Sequence, residues 1–350
     1  MKNNEVYYFI AACLTISSEK KNRTFIRKKL QSGIIDWDKV VIIGSSNFVL
    51  PALYCNLKNV NFLSYLPEDL VRYLKYINDI NMERNMKIIS QAKKINKILL
   101  SNGIKPIFLK GVGNLFANLY NEISQRMIGD IDFICCKSEY HKSIKILKKN
   151  GYKTLNKIKN PQPKFRHYNR LIVDEEIAAV EVHKELVVEK YAHEFNFDNV
   201  VKDTQSLNSI NFLSYSNKLN LSIISNQIND NGFLFKTISL RNAYDVFLLS
   251  KKINSKDSIN TLNELKYSSN CFLACCFKIF NNVESIKFHK SSKTDKYLMI
   301  FDLQLLNTSK TILKRKLLKI YLSVNERIKI FRKIIFHKDY RSWFQKKLSG

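Results

Sequence analysis

The spacing of apolar residues changes period twice along the 350-residue chain, and this limits the folds open to it. Up to about residue 100, apolar side chains recur every three or four positions, as in helices: Val6–Leu14, Phe25–Leu30, Val40–Leu57, Leu70–Ile80 and Met86–Leu100. Between 104 and 183 short β-rich runs take over, at Ile104–Leu109, Ile128–Cys136, Arg170–Val173 and Ile177–His183. One further helix, Tyr140–Lys149, lies among them, and Asn150-Gly151 stops it. Helical spacing then returns over Lys218–Ile228, Ser239–Lys252, Ile259–Tyr267, Cys271–Asn281, Lys296–Leu306, Ile312–Leu322 and Glu326–Ile335. Polar stretches near 203–209 and 286–295 read as linkers, and no internal repeat is visible. A single β-patterned stretch between two long helical ones implies an α+β chain, with a small mixed sheet flanked by helices. The expected divisions are 1–85, 86–202 and 203–350.

Composition fits a folded chain of this kind. It is 45% hydrophobic, enough for a sizeable core, and nine Gly and five Pro are too few for a loop-rich sandwich. Lys and Arg outnumber Asp and Glu by 58 to 30, a net charge of +28. That excess is uneven. Residues 101–200 carry 16 basic and 12 acidic residues, whereas 251–350 carry 22 and 7. The total therefore does not mark the middle of the chain as a nucleic-acid surface. Seven Cys without a CxxC pair suit free thiols in a reducing cytoplasm. Ile10-Ala11-Ala12-Cys13 resembles a lipoprotein cleavage box, but the apolar run before it is short and reads as a first amphipathic helix. No run reaches the roughly 18 apolar residues of a membrane span.

Three carboxylates carry the chemistry. Asp130 and Asp132 are two apart on a strand, so they share a face, while Ile131 and Phe133 anchor the other. Glu181 lies between Val180 and Val182 on a later strand, where a lone charge is costly without a partner. If the two strands pair, the carboxylates converge, and divalent cations would relieve their repulsion. A second DxD, Asp36-Trp37-Asp38, suits a helix cap instead. Upstream, Leu109-Lys110-Gly111-Val112-Gly113 leaves a strand and enters a helix. Its glycines permit close backbone approach, and its lysine supplies a positive charge. It is neither a Walker loop nor GxGxxG. Arg126 is placed to clamp a phosphate or to pair with a carboxylate. His183 shares a face with Glu181 and could bind metal, orient substrate or serve structure; His167 is a weaker candidate. Asp174-Glu175-Glu176 reads as a solvated turn, and Asp245 as a packing or salt-bridge residue.

Taken in order, Leu109-Lys110-Gly111, Tyr120, Arg126, Gly129-Asp130-Ile131-Asp132, Gly151-Tyr152, His167 and Val180-Glu181-Val182-His183 resemble the bacterial nucleotidyltransferase-like family of the DNA polymerase β superfamily. Ile35-Asp36-Trp37-Asp38, Pro51-Ala52-Leu53-Tyr54 and Leu240-Arg241-Asn242-Ala243-Tyr244-Asp245 resemble its flanking helices, so the likeness covers roughly 25–250. The resemblance implies a nucleotidyltransferase core over 86–202. Asp130, Asp132 and Glu181 would hold two Mg²⁺ ions. Lys110, Gly111, Gly113, Arg126 and His183 would receive a nucleoside triphosphate such as ATP. An acceptor hydroxyl, for instance on a sugar-linked group, would attack the α-phosphate, with Glu181 helping to activate it. Members of this group often occur in polysaccharide and peptide biosynthesis clusters. The chain departs from the superfamily's usual Gly-Ser or Gly-Gly turn, since Val112 follows Gly111.

Residues 310–350 lie beyond the resemblance and carry 13 basic and 2 acidic residues. This block suits an anionic membrane surface or a polyanion, or simply a helical cap with a solvated lysine face. Two other functions remain open: a non-catalytic protein of this fold that binds a membrane or nucleic acid through its basic end, and a toxin-type transferase that modifies tRNA or protein.

Overall fold

A computed structural model describes residues 1–155 and 166–348. Four helices open the chain: α1 (Asn3–Cys13), α2 (Lys20–Gln31), α3 (Trp37–Ser46) and α4 (Leu50–Asn59). Asp36 caps α3 by accepting the backbone N–H of Lys39, as expected of the decoy DxD. The run expected over Val40–Leu57 breaks between α3 and α4, where Phe48 takes a left-handed φ of 57°.

Next comes a 33-residue helix, α5 (Glu68–Leu100). The sequence suggested two helices here, with a division at 85/86. Asn78, Asn81 and Asn85 interrupt the apolar spacing, yet all three are buried on one side of an unbroken helix. Gly103, at φ +77°, ends it, and its N–H bonds the carbonyl of Leu100.

The sheet begins with β1 (Ile107–Phe108), followed by α6 (Lys110–Phe116), β2 (Asp130–Ile134), α7 (Tyr140–Lys149), β3 (Lys153–Thr154), β4 (Leu171–Ile172) and β5 (Ala179–His183). A short helix, α8 (Phe197–Val200), leads to the hairpin β6 (Gln205–Leu207) and β7 (Ile210–Phe212). The seven strands form one mixed sheet in the order β3-β4-β5-β2-β1-β7-β6. β5 pairs parallel to β2, β2 antiparallel to β1, and β1 parallel to β7. The stretch 203–209, read as a linker, therefore contains a strand and the start of a tight turn, and the sheet runs past residue 202. Asn208 and Ser209 make that turn with φ of 50° and 62°.

Helices close the molecule: α9 (Tyr215–Ile224), α10 (Gly232–Phe235), α11 (Leu240–Ser250), α12 (Ser255–Asn260), α13 (Lys266–Ile279), α14 (Ser292–Leu305), α15 (Ser309–Phe336) and α16 (Lys338–Leu348). The expected helix over Ile259–Tyr267 spans the break between α12 and α13. The two expected at 312–322 and 326–335 are one helix, α15. Among the described residues no helix is long and apolar enough to cross a membrane.

Strand alternation divides the core. Phe108, Ile131, Phe133, Val180 and Val182 join the main cluster with the N-terminal helices, α11 and α13. Ile107, Leu109 and Ile134 face a smaller cluster with Leu186, Leu213 and Ile224. The chain makes its turns with few glycines. Asn61, Asn118, Asn208, Asn231, Asn281, Asn282 and Asn307 all take left-handed φ, which asparagine tolerates better than most side chains.

Candidate active site

Parallel pairing of β2 and β5 builds the site. Its register sets Asp132 beside Glu181, Asp130 beside Ala179 and Ile134 beside His183. Strand alternation then projects Asp130, Asp132, Glu181 and His183 from one face, while Ile131, Phe133, Val180 and Val182 fix the other in the main core. The sequence-level condition for convergence of the carboxylates is met by this pairing.

Basic side chains fill the space between them. Lys110 Nζ lies 2.5 Å from Asp132 Oδ1 and 3.9 Å from Glu181 Oε2. His183 Nε2 lies 2.8 Å from Asp132 Oδ1 and 3.6 Å from Glu181 Oε2. Arg170 bridges the other oxygens, with Nε 2.9 Å from Glu181 Oε1 and Nη2 2.9 Å from Asp130 Oδ2. His167 Nε2 stands 3.9 Å from Glu181 Oε2, and its ring centre is 5.3 Å from that of His183. Lys110 holds a left-handed φ of 48°, a strained backbone for a residue with a side chain.

Asp132, Glu181 and His183 each offer a ligand atom, all within 4.8 Å of one another. Two carboxylates and an imidazole, all buried, form a donor set that fits a divalent cation. Asp130, on the same face and less buried, is held through Arg170.

These contacts set the protonation states. Burial opposes ionisation of Asp132, but Lys110 and the His183 hydrogen bond overcome it and hold its carboxyl well below the usual range. Glu181 is likewise lowered: burial opposes, and the His183 hydrogen bond, Lys110 and His167 prevail against it and against Asp132. Asp130 moves upward, through burial and the nearby Glu181 charge, with Arg170 only partly compensating. Burial lowers His167 and favours its neutral ring.

Other expected site residues have different surroundings. Arg126 is buried and committed to Asp245, with Nε 3.0 and 3.1 Å from its oxygens and Nη2 3.0 Å from Oδ2. Tyr120 donates to the same carboxylate at 2.5 Å. Gly111 and Gly113 are buried inside α6. A Cβ on Gly113 would lie 2.5 Å from the Phe108 carbonyl oxygen, and its N–H already bonds Leu109. Glycine at 113 thus lets α6 pack onto β1.

Arg170 was missed as a site residue because nothing local marks it. The pairing of Leu171 with Val180 brings it beside Glu181. The only hint in sequence was that Glu181 needed a cationic partner.

A family model described as an uncharacterised nucleotidyltransferase matches residues 34–279, well over half of the chain. No curated protein matches significantly. One solved structure, JHP933 from Helicobacter pylori, aligns over 71% of this chain and 96% of its own, at 13% identity and a TM-score of 0.30.

Proposed function

The chain belongs to the uncharacterised nucleotidyltransferase family, and on that premise we propose that it transfers a nucleoside monophosphate from a triphosphate to an acceptor hydroxyl. The convergence of Asp132, Glu181 and His183 on one sheet face, with Asp130 beside them, carries this reading.

Asp130, Asp132 and Glu181 would hold two Mg²⁺ ions, with His183 as an additional ligand. Divalent metal there would supply charge neutralisation and Lewis acidity at the α-phosphate. The chain's own groups do the rest. Glu181, ionised by its surroundings, accepts the acceptor's hydroxyl proton or orients that hydroxyl. The hydroxyl oxygen forms a bond to the α-phosphorus, the bond from that phosphorus to the β-bridging oxygen breaks, and pyrophosphate leaves with the electron pair. Lys110, paired here with Asp132, would turn to the triphosphate in the loaded site and offset its charge. In this reading Arg126 braces the core through Asp245, and Gly111 and Gly113 serve packing. The acceptor, a sugar-linked group among others, is to be identified by product analysis, and the seven unpaired thiols suit the cytoplasm.

The same contacts support a second reading. Lys110 and Arg170 occupy carboxylate oxygens where metal would bind, as in a non-catalytic protein that replaced metal with side-chain cations.

Calorimetry with nucleoside triphosphate and Mg²⁺ separates the two. The enzyme binds triphosphate only with metal, and Asp132→Asn loses both binding and turnover at temperatures where circular dichroism and a cooperative melt show it still folded. Full turnover in Asp132→Asn would sink the mechanism. Metal-independent binding in the native chain would favour the second reading.

A further inference from the structure

α15 is a 28-residue helix, about 42 Å long, with no buried residue. Leu313, Leu317, Ile320, Val324, Ile328, Phe331 and Ile335 are between 46% and 64% exposed. At 100° per residue they fall in a single stripe along the helix. Thr311, Arg315, Leu318, Leu322 and Lys333, on another side, are half-buried. Arg315 donates to the Gln304 carbonyl and Asn307, and Lys333 pairs with Glu189, so that side ties the helix to the body. The apolar stripe is turned away from it.

Spacing and charge identify what covers the stripe. The intervals between the seven residues are 4-3-4-4-3-4, an eleven-residue repeat rather than the heptad that winds two helices into a left-handed coiled coil. Because that repeat is close to the helical period, the stripe runs nearly straight, as a flat surface requires, and a second copy would set the flanking lysines and arginines against their like. Lys316 and Arg327 flank one edge of the stripe, and Lys314 and Arg332 the other. Nucleic acid would use these cations but has no need of the Leu, Ile and Phe between them. A bilayer surface with acidic headgroups uses both, taking the apolar side chains at the acyl boundary and the cations at the phosphates. The helix is too charged to span a bilayer, so it would lie in the interface. Phe344 and Leu348 of α16 add exposed apolar surface.

We infer that α15 docks the protein, apolar stripe down, on an anionic membrane surface. The test is flotation of the full-length chain with vesicles of phosphatidylcholine alone or with a third phosphatidylglycerol. Native protein should float with the anionic vesicles, and high salt should weaken the binding. Leu317→Glu/Phe331→Glu changes two exposed positions, so the melting temperature should hold while vesicle binding falls about tenfold or more. Lys314→Glu/Arg332→Glu should reduce binding to anionic vesicles alone. No flotation with phosphatidylglycerol, or equal flotation of native and Leu317→Glu/Phe331→Glu proteins, overturns the proposal. RNA binding without vesicle binding overturns it in favour of a polyanion. A dimer abolished by Leu317→Glu/Phe331→Glu, again without vesicle binding, overturns it in favour of a second copy.

Discussion

Lys110 combines two tensions. Its backbone sits in the left-handed region, and its ammonium neutralises Asp132. If it exchanges between carboxylate and triphosphate, Lys110→Met should tighten divalent-metal binding in the absence of nucleotide. It should weaken triphosphate binding by about tenfold; calorimetry with metal alone and then with nucleotide checks both. The buried carboxylates also make the fold sensitive to acid. Asp132 and Glu181 titrate below their ordinary values in the folded chain. The stability they contribute is present above the unfolded carboxylate range, about pH 4, and is lost as pH falls through it toward their folded values. Asp130, shifted upward, acts in the opposite sense. Urea midpoints measured from neutral pH down to pH 3 should therefore fall, and Asp132→Asn should flatten the curve. At this scale sequence carried the acidic half of the site further than the basic half. Asp130, Asp132 and Glu181 announce themselves by alternating with apolar neighbours. Arg170 and the Lys110–Asp132 pair depend on which strands become neighbours.

Elements with strong periodicity were legible, and those defined by long-range partners were not. β2, β5 and α7 stand close to where the spacing puts them. The β6–β7 hairpin is hidden because a polar edge strand has no apolar signature. α5 was divided in reading because asparagines hold its buried side. Asn81 donates to the Ser124 carbonyl at 2.6 Å, and Asn85 to the Ile123 and Arg126 carbonyls at 2.6 and 2.8 Å. They fasten the loop that enters β2, so Asn85→Ala should cost about 1–3 kcal/mol in denaturant unfolding. Arg126 and Asp245 tie that loop to α11. Asp245→Ala leaves a buried guanidinium without its partner and should cost about 3–5 kcal/mol. Metal affinity of the protein that remains folded should be unchanged, which calorimetry below the melting transition checks.

For the whole molecule, the helical regions differ in how much core they supply. The N-terminal helices, α11 and α13 share the main cluster with the sheet. α15 contributes no buried residue, and α16 only Tyr340 and Trp343. A chain ending at residue 307 should therefore keep its cooperative transition, with a loss near 1 kcal/mol, or roughly 1–2 °C. It should also keep triphosphate turnover in solution. A collapse of the transition in thermal melts would assign α15 a structural role instead. The sequence placed a basic block at this end without revealing that its apolar residues face solvent. Which side of a helix packs is decided by neighbours far along the chain.

The unbroken rod from Glu68 to Leu100 governs how such a molecule can be recombined with its relatives. One stretch of it packs on α4, while Asn81 and Asn85 grip the loop at 123–126 and Gln91 bonds Ala178 through both its amide nitrogen and its oxygen. A crossover at residue 85 would splice two parents in mid-helix and part the asparagines from the carbonyls they were matched to. Chimeras should join instead ahead of Pro67, so that the rod and the sheet it braces are inherited from one parent.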